Sequence, residues 1–196
     1  CNSLSPAAWF ENTGDFDISA MVTLANPLSS DLNAMRMSLL PGMLNTVAWN
    51  INRQNPDLKL YESGFSYFRN MDKGSREITD NYTERQDLDI ILTGEATLRR
   101  WNSPYTPTGF YHLKGYVEMI LDRLGISLRS LVVKDADKAW FREGLAYYSG
   151  ENEIVSFGSV SRKYLHVFDI KQDVFYAHID WENLLKLHKK NKISFK

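Results

Sequence analysis

Leu58-Lys59-Leu60-Tyr61-Glu62-Ser63-Gly64-Phe65-Ser66-Tyr67-Phe68 is the stretch that decides the fold class. Apolar and polar side chains alternate along it with the two-residue period of a half-buried strand, and Gly64 in its middle predicts a bend. Asp87-Leu88-Asp89-Ile90-Ile91-Leu92-Thr93-Gly94 reads as the next strand, and the polar residues 69–85 between the two as a hairpin connection. Further strand candidates fall at 128–134, 139–149, 153–157 and 174–179, with a short one upstream at Met21-Val22-Thr23-Leu24, ended by the turn former Asn26-Pro27. Hairpin-length links with few crossover helices predict an α+β fold, an antiparallel sheet flanked by helices.

The helices are fewer. Pro41 cannot continue a helix but suits the first position of a new one, with Ser38 or a neighbour near the cap. From there Leu40, Met43, Leu44, Val47, Ala48 and Ile51 recur at three- and four-residue steps, the face of an amphipathic helix over 41–53 that Asn55-Pro56-Asp57 ends. Phe110, Leu113, Val117, Ile120, Leu121 and Leu124 mark a second helix over 109–124, with Gly125 at its C-terminal cap. A short helix is expected near Ser161 and a last one over 181–187.

Composition narrows the function classes. The 196 residues can bury a sizeable core, and 13% aromatic content argues against disorder. A net charge of −1 offers no global positive field for nucleic acid, so any RNA contact is local. The one cysteine, Cys1, forbids a disulfide within the chain and fits a reducing cytoplasm. No apolar run approaches the ~18 residues that span a bilayer. Cys1-Asn2-Ser3-Leu4-Ser5 lacks the basic and apolar regions of a signal peptide, and reads as the start of a domain cut from a longer chain. His112, His166, His178 and His188 are unpaired at helical spacing, so no metal site is expected and each takes an ordinary structural or surface role. Asp87 and Asp89 share one face of a strand, read here as solvated rather than metal-binding. There is no Gly-rich phosphate loop and no nucleophile elbow.

An ordered set of motifs resembles the phenylalanyl-tRNA synthetase beta chain family. Asn26-Pro27-Leu28-Ser29, then residues 35–44 (Met-Arg-Met-Ser-Leu-Leu-Pro-Gly-Met-Leu), then Asn50 and Arg53, match its motif-1-like segment. Leu60-Tyr61-Glu62-Ser63-Gly64 with Phe68, then Leu92-Thr93-Gly94, Trp101 and Phe110-Tyr111 with Leu113-Lys114-Gly115 and Glu118, continue the match in order. Ala139, Glu143-Gly144, Phe157-Gly158 with Val160, and Phe168-Asp169-Ile170 complete it. The resemblance implies one class II synthetase-like core domain over residues 1–196. The family's anticodon-binding, editing and N-terminal tRNA-binding modules lie outside it.

It also implies a fold without its catalysis. Class II enzymes carry an Arg on the motif 2 strand, and the matching strand here offers Tyr61-Glu62-Ser63-Gly64 without it. Gly158-Ser159-Val160-Ser161-Arg162 faintly resembles motif 3, but the beta family usually has His-Pro where Ser161-Arg162 stands, and Arg162 reads as a helix-start residue. No catalytic residue, cofactor or metal is therefore expected in this domain. ATP and magnesium are implied for a cytoplasmic heterotetramer that charges tRNA(Phe) on its alpha chain. The implied role is assembly with that alpha chain, with Met43, Val47, Asn50, Ile51 and Arg53 on the 41–53 helix as interface candidates. Two other functions compete: a relic site for an amino acid or adenylate, and a tRNA-binding module using Lys186, Lys189, Lys190 and Lys192. An open arginine-lined cleft on the sheet would favour the relic site; a face filled by aromatic side chains would not.

Overall fold

The computed structural model of the chain describes residues 3–70, 78–97 and 106–190. Its first strands are short: β1 (Leu4–Ser5) pairs antiparallel with β2 (Ala34–Met35), and α1 (Ala8–Glu11) lies between them in sequence. Met21, Phe10, Ala34 and Met37 bury a small core of their own there. The strand expected at 21–24 does not form: a 3-10 turn, Ile18–Ala20, precedes it, and Thr23 makes only an isolated bridge to Ala34.

Helix α2 (Leu40–Ile51) begins as expected. Pro41 sits in its first turn, and the Ser38 hydroxyl accepts a hydrogen bond from the Leu40 N–H at 3.2 Å. The sheet follows. Strands β3 (Leu58–Arg69) and β4 (Tyr82–Thr93) form a long hairpin of 12 residues each, then comes α3 (Phe110–Arg123). Beyond it lie β5 (Val132–Asp135), β6 (Phe141–Ser149), β7 (Asn152–Val160), α4 (Arg162–Val167), β8 (Val174–Asp180) and α5 (Trp181–Lys190). The order across the sheet is β3-β4-β8-β7-β6-β5, every neighbouring pair antiparallel. A 3-10 turn, Leu128–Ser130, takes the first half of the strand expected from residue 128. Gly125, at φ +70°, reverses the chain after α3, a left-handed position that favours glycine.

The bend expected at Gly64 is absent. The β3–β4 register runs unbroken from Leu58↔Thr93 to Arg69↔Tyr82. The glycine serves a close approach instead, because a Cβ there would lie 2.1 Å from Arg36 Nη2. That guanidinium pairs with Glu62 at 2.6 Å and its Nε donates to the Phe65 carbonyl at 2.8 Å. The Arg36 carbonyl in turn accepts from the Tyr67 N–H at 2.9 Å. The motif-1-like segment is thus bound to the outer strand of the sheet by side chain and backbone together.

Two helical layers close the sheet. On one face Leu40, Leu44 and Val47 of α2 pack with Leu58, Ile91, Val174 and Tyr176 of the sheet and with Tyr164 and Leu165 of α4. On the other, Leu113, Val117 and Leu121 of α3 and Leu184 of α5 cover Leu92, Val155, Phe157 and Ile179. A helix that shields a sheet face must hold its apolar stripe dry. Val47→Asp, at a fully buried site, should therefore cost several kcal/mol and lower the melting temperature sharply, while Asn45→Asp on the exposed side of α2 should shift stability by less than about 0.5 kcal/mol. The Arg36–Glu62 pair, with side chains 8% and 13% exposed, makes a second test. Arg36→Met alone should destabilise by about 3–5 kcal/mol, and Arg36→Met with Glu62→Leu by much less, measured by denaturant unfolding.

Candidate functional site

The α2 face of the sheet carries a cluster of ionisable side chains beneath a cavity. Alternation on β4 puts Asp87 and Asp89 on that face, and register brings Asp180 and His178 of β8 opposite them. Both aspartates are fully buried, which corrects the expectation of a solvated strand face. The physical reason is position: β4 is paired on both sides, and segments from elsewhere in the chain cover this face.

Each buried carboxylate is bound. Asp87 accepts from Arg85 Nε at 2.8 Å and Nη2 at 3.2 Å, and from the Ser66 hydroxyl at 2.5 Å. Asp89 meets His178 Nδ1 at 2.8 Å and accepts from the Tyr176 hydroxyl. His178 Nε2 lies 3.8 Å from Asp87, so the imidazole sits between two carboxylates. Burial works against the imidazolium, but the Asp89 charge, the Asp89 hydrogen bond and the Asp87 charge together outweigh it and hold the His178 pKa above the ordinary value. Burial pushes the Asp89 carboxyl upward, with His178 opposing. Burial likewise pushes the Tyr176 hydroxyl well up, so it remains a neutral donor.

Above this floor lies a cavity of about 340 Å³. Phe16 and Trp140 stack over it with ring centres 5.8 Å apart, and Phe68 and Tyr176 supply further aromatic wall. Its lining includes four carboxylates, Asp15, Asp17, Glu153 and Asp180, against Arg85, Lys138 and His178. The cations are engaged: Arg85 with Asp87, Lys138 with Glu153 at 3.2 Å, His178 with Asp89. Burial pushes the Glu153 carboxyl up, but the Lys138 charge together with hydrogen bonds, the Tyr148 hydroxyl's among them, holds it below its usual range. Among the described residues the face is aromatic and acidic, without the open arginine-lined cleft that a triphosphate needs. Arg162 lies apart, donating to the Lys171 carbonyl at 3.0 Å and to Asp173 at 2.9 Å. Among the described residues no group of three or more His, Cys, Asp or Glu side chains is arranged to hold a metal.

The interface candidates divide. Met43 and Val47 turn into the core and cannot reach a partner. Their apolar spacing marked the buried stripe of α2, and that stripe is covered by the chain's own sheet. Ile51 is half-buried against the same core, and Asn50 bonds the Thr46 carbonyl at 2.9 Å. Arg53 lies outside, its guanidinium 3.6 Å from the centre of the Trp49 ring. Trp49, 54% exposed, was missed because its one signal is an aromatic off the apolar stripe. Of the lysine-rich end, Lys186 is exposed on α5. The side chains of Lys189 and Lys190, and all of Lys192 and Trp101, lie outside the described residues. The Asp87–His178–Asp89 cluster was also missed, since 89 residues separate His178 from its partner.

Comparison with solved structures places the fold. Two pyrrolysyl-tRNA synthetase structures from Desulfitobacterium hafniense match 97% of this chain and 62% of their own, with TM-scores of 0.66 and 0.68 at 14% and 13% identity. That likeness shows a class II synthetase-like fold and nothing finer. Sequence relatives are nearer. The phenylalanine–tRNA ligase beta subunit of Bacteroides thetaiotaomicron is 40% identical over the whole of this chain and 24% of its own length. That of Bacteroides fragilis is 37% identical over the same shares, and that of Porphyromonas gingivalis 32% over 94% of this chain and 23% of its own. The chain spans about a quarter of the length of these relatives. The model of the phenylalanyl-tRNA synthetase beta chain CLM domain matches residues 2–181, and the chain belongs to that family.

Proposed function

We propose that this domain is a catalytically silent core of phenylalanine–tRNA ligase, which supports assembly with the catalytic alpha chain so that the holoenzyme can charge tRNA(Phe). ATP and magnesium serve the alpha chain's site, in the cytoplasm, and none is held here. The observation that carries the silence is the state of the sheet face. Adenylate formation needs cations aimed at developing phosphate charge. Here Arg36, Arg85 and Lys138 are bound to carboxylates, and the cavity carries an excess of acidic groups that repels a triphosphate.

The assembly role rests on the outer side of α2. Trp49 and Arg53 stack on each other in the open, and Trp and Arg are the residue types that most often anchor interfaces. Beside them a groove of about 510 Å³ runs between α2 and the N-terminal segment, lined by Leu4, Trp9, Leu32, Asn45 and Thr46. Lys186, exposed on α5, is assigned to a solvated helix surface rather than to a tRNA contact.

Two measurements test this. The chain alone should give no phenylalanine-dependent exchange of pyrophosphate into ATP above background; exchange above background would overturn the silent assignment. Trp49→Ala with Arg53→Ala should cut co-purification with a co-expressed alpha chain at least tenfold while leaving the melting temperature within about 2 °C of the parent. Undiminished co-purification would remove this side of α2 from the interface.

A further inference from the structure

The register across β3, β4 and β8 sets three ionisable groups in one row on the α2 face: Glu62 opposite Asp89, and Asp89 opposite His178. Two carboxylates directly opposite each other in a sheet repel. Each therefore needs a cation on its far side, and the chain supplies one at each end: Arg36 on Glu62 and His178 on Asp89. A guanidinium keeps its charge where an imidazole can lose it. The row also reaches α2. Asp89 accepts from the Tyr176 hydroxyl, Tyr176 faces the Ser38 hydroxyl, and Ser38 accepts from the Leu40 N–H in the first turn of the helix. His178 lines the cavity under Phe16 and Trp140 and its side chain is 14% exposed, while the two aspartates are fully closed off. A proton can thus reach the ring without the sheet opening.

The geometry points to His178 as a proton-dependent latch for α2: protonated, it balances the Asp89 charge, as Arg85 balances Asp87, and holds the helix start on the sheet; deprotonated, it leaves buried negative charge beside Glu62 and lets the helix start loosen. The latch is a property of this chain and stands whether or not α2 meets an alpha chain.

The charged groups around the ring agree on the direction. From β4 it faces Asp87, Asp89 and, further off, Arg85; on its own strand lie Tyr176 and Asp180; from β7 and the covering segments come Glu153, Lys138, Asp15 and Asp17; beyond Asp89 stand Glu62 and Arg36. Carboxylates outnumber fixed cations, which favours the imidazolium. Because the folded state binds this proton more tightly than the unfolded chain, the stabilisation is complete below a pH of about 6.5, the unfolded imidazole value, and is lost as pH rises through the raised folded value. The upward shift of Asp89 acts with the same sign, since a carboxyl that holds its proton longer in the fold also makes the fold less stable as pH rises.

Amide hydrogen exchange of α2, corrected for the intrinsic pH dependence of exchange, tests the latch between pH 5.5 and 9. In the parent chain the protection of the first turns of α2 should fall as pH rises, about tenfold for each pKa unit by which folded His178 exceeds free imidazole. His178→Gln should show low protection throughout. His178→Gln with Asp89→Asn removes both charges at nearly constant shape, and should restore protection and abolish the slope. A ring that only fills space would leave the double variant no better than the single one. Flat protection in the parent, a parent-like slope in the double variant, or failure of Asp89→Asn to rescue would each overturn the latch. If His178→Gln does not fold, the slopes of the parent and the double variant decide.

Discussion

Arg36 pairing with Glu62 at 2.6 Å, over the backbone of Gly64, is the constraint on which the rest of this architecture depends. It joins the segment before α2 to the outermost strand of the sheet. The two groups are almost wholly buried, where an unpaired charge is far more costly than at the surface. The pair explains three features of the sequence at once: an arginine within an otherwise apolar segment, a glutamate on a strand face that packs inward, and a glycine two residues later with no bend to make. With that segment held, Leu39 and Leu40 descend onto the sheet and α2 follows in register with the core.

The same face carries further buried ionisable groups. Carboxylates stand on this face, and three of them meet an internal cation or hydroxyl: Glu62 with Arg36, Asp87 with Arg85 and Ser66, Asp89 with His178 and Tyr176. Stacked Phe16 and Trp140 then roof the space that remains. Buried ion pairs add little net stability over well-packed apolar residues, yet they penalise any arrangement that separates the partners.

Helix α2 divides its labour by side. Leu40, Leu44 and Val47 are withdrawn from water by the chain's own sheet, whereas Trp49 and Arg53 remain outside in contact with each other. Periodicity finds the first set because burial repeats with the helical turn. It does not find the second, because exposed side chains off the apolar stripe follow no burial period.

Strand alternation in residues 58–68 and 87–94, the apolar stripes of α2 and α3, and the caps at Pro41 and Gly125 were all determined by the sequence alone. Each rests on neighbours within a few residues, where the backbone geometry of helix, strand or turn fixes which side chains share a face. The ordered motifs likewise carried the family, because they are linear patterns. Only the tertiary structure decided that Asp87 and Asp89 are buried, that Gly64 yields to Arg36 without bending its strand, and that Met43 and Val47 face inward. Those outcomes depend on register and layering between segments distant in sequence: 26 residues separate Arg36 from Glu62, and 89 separate Asp89 from His178. Charge pairing across such distances leaves no local period to read, since the energy that selects it arises only when the sheet has brought the partners together and excluded water from between them.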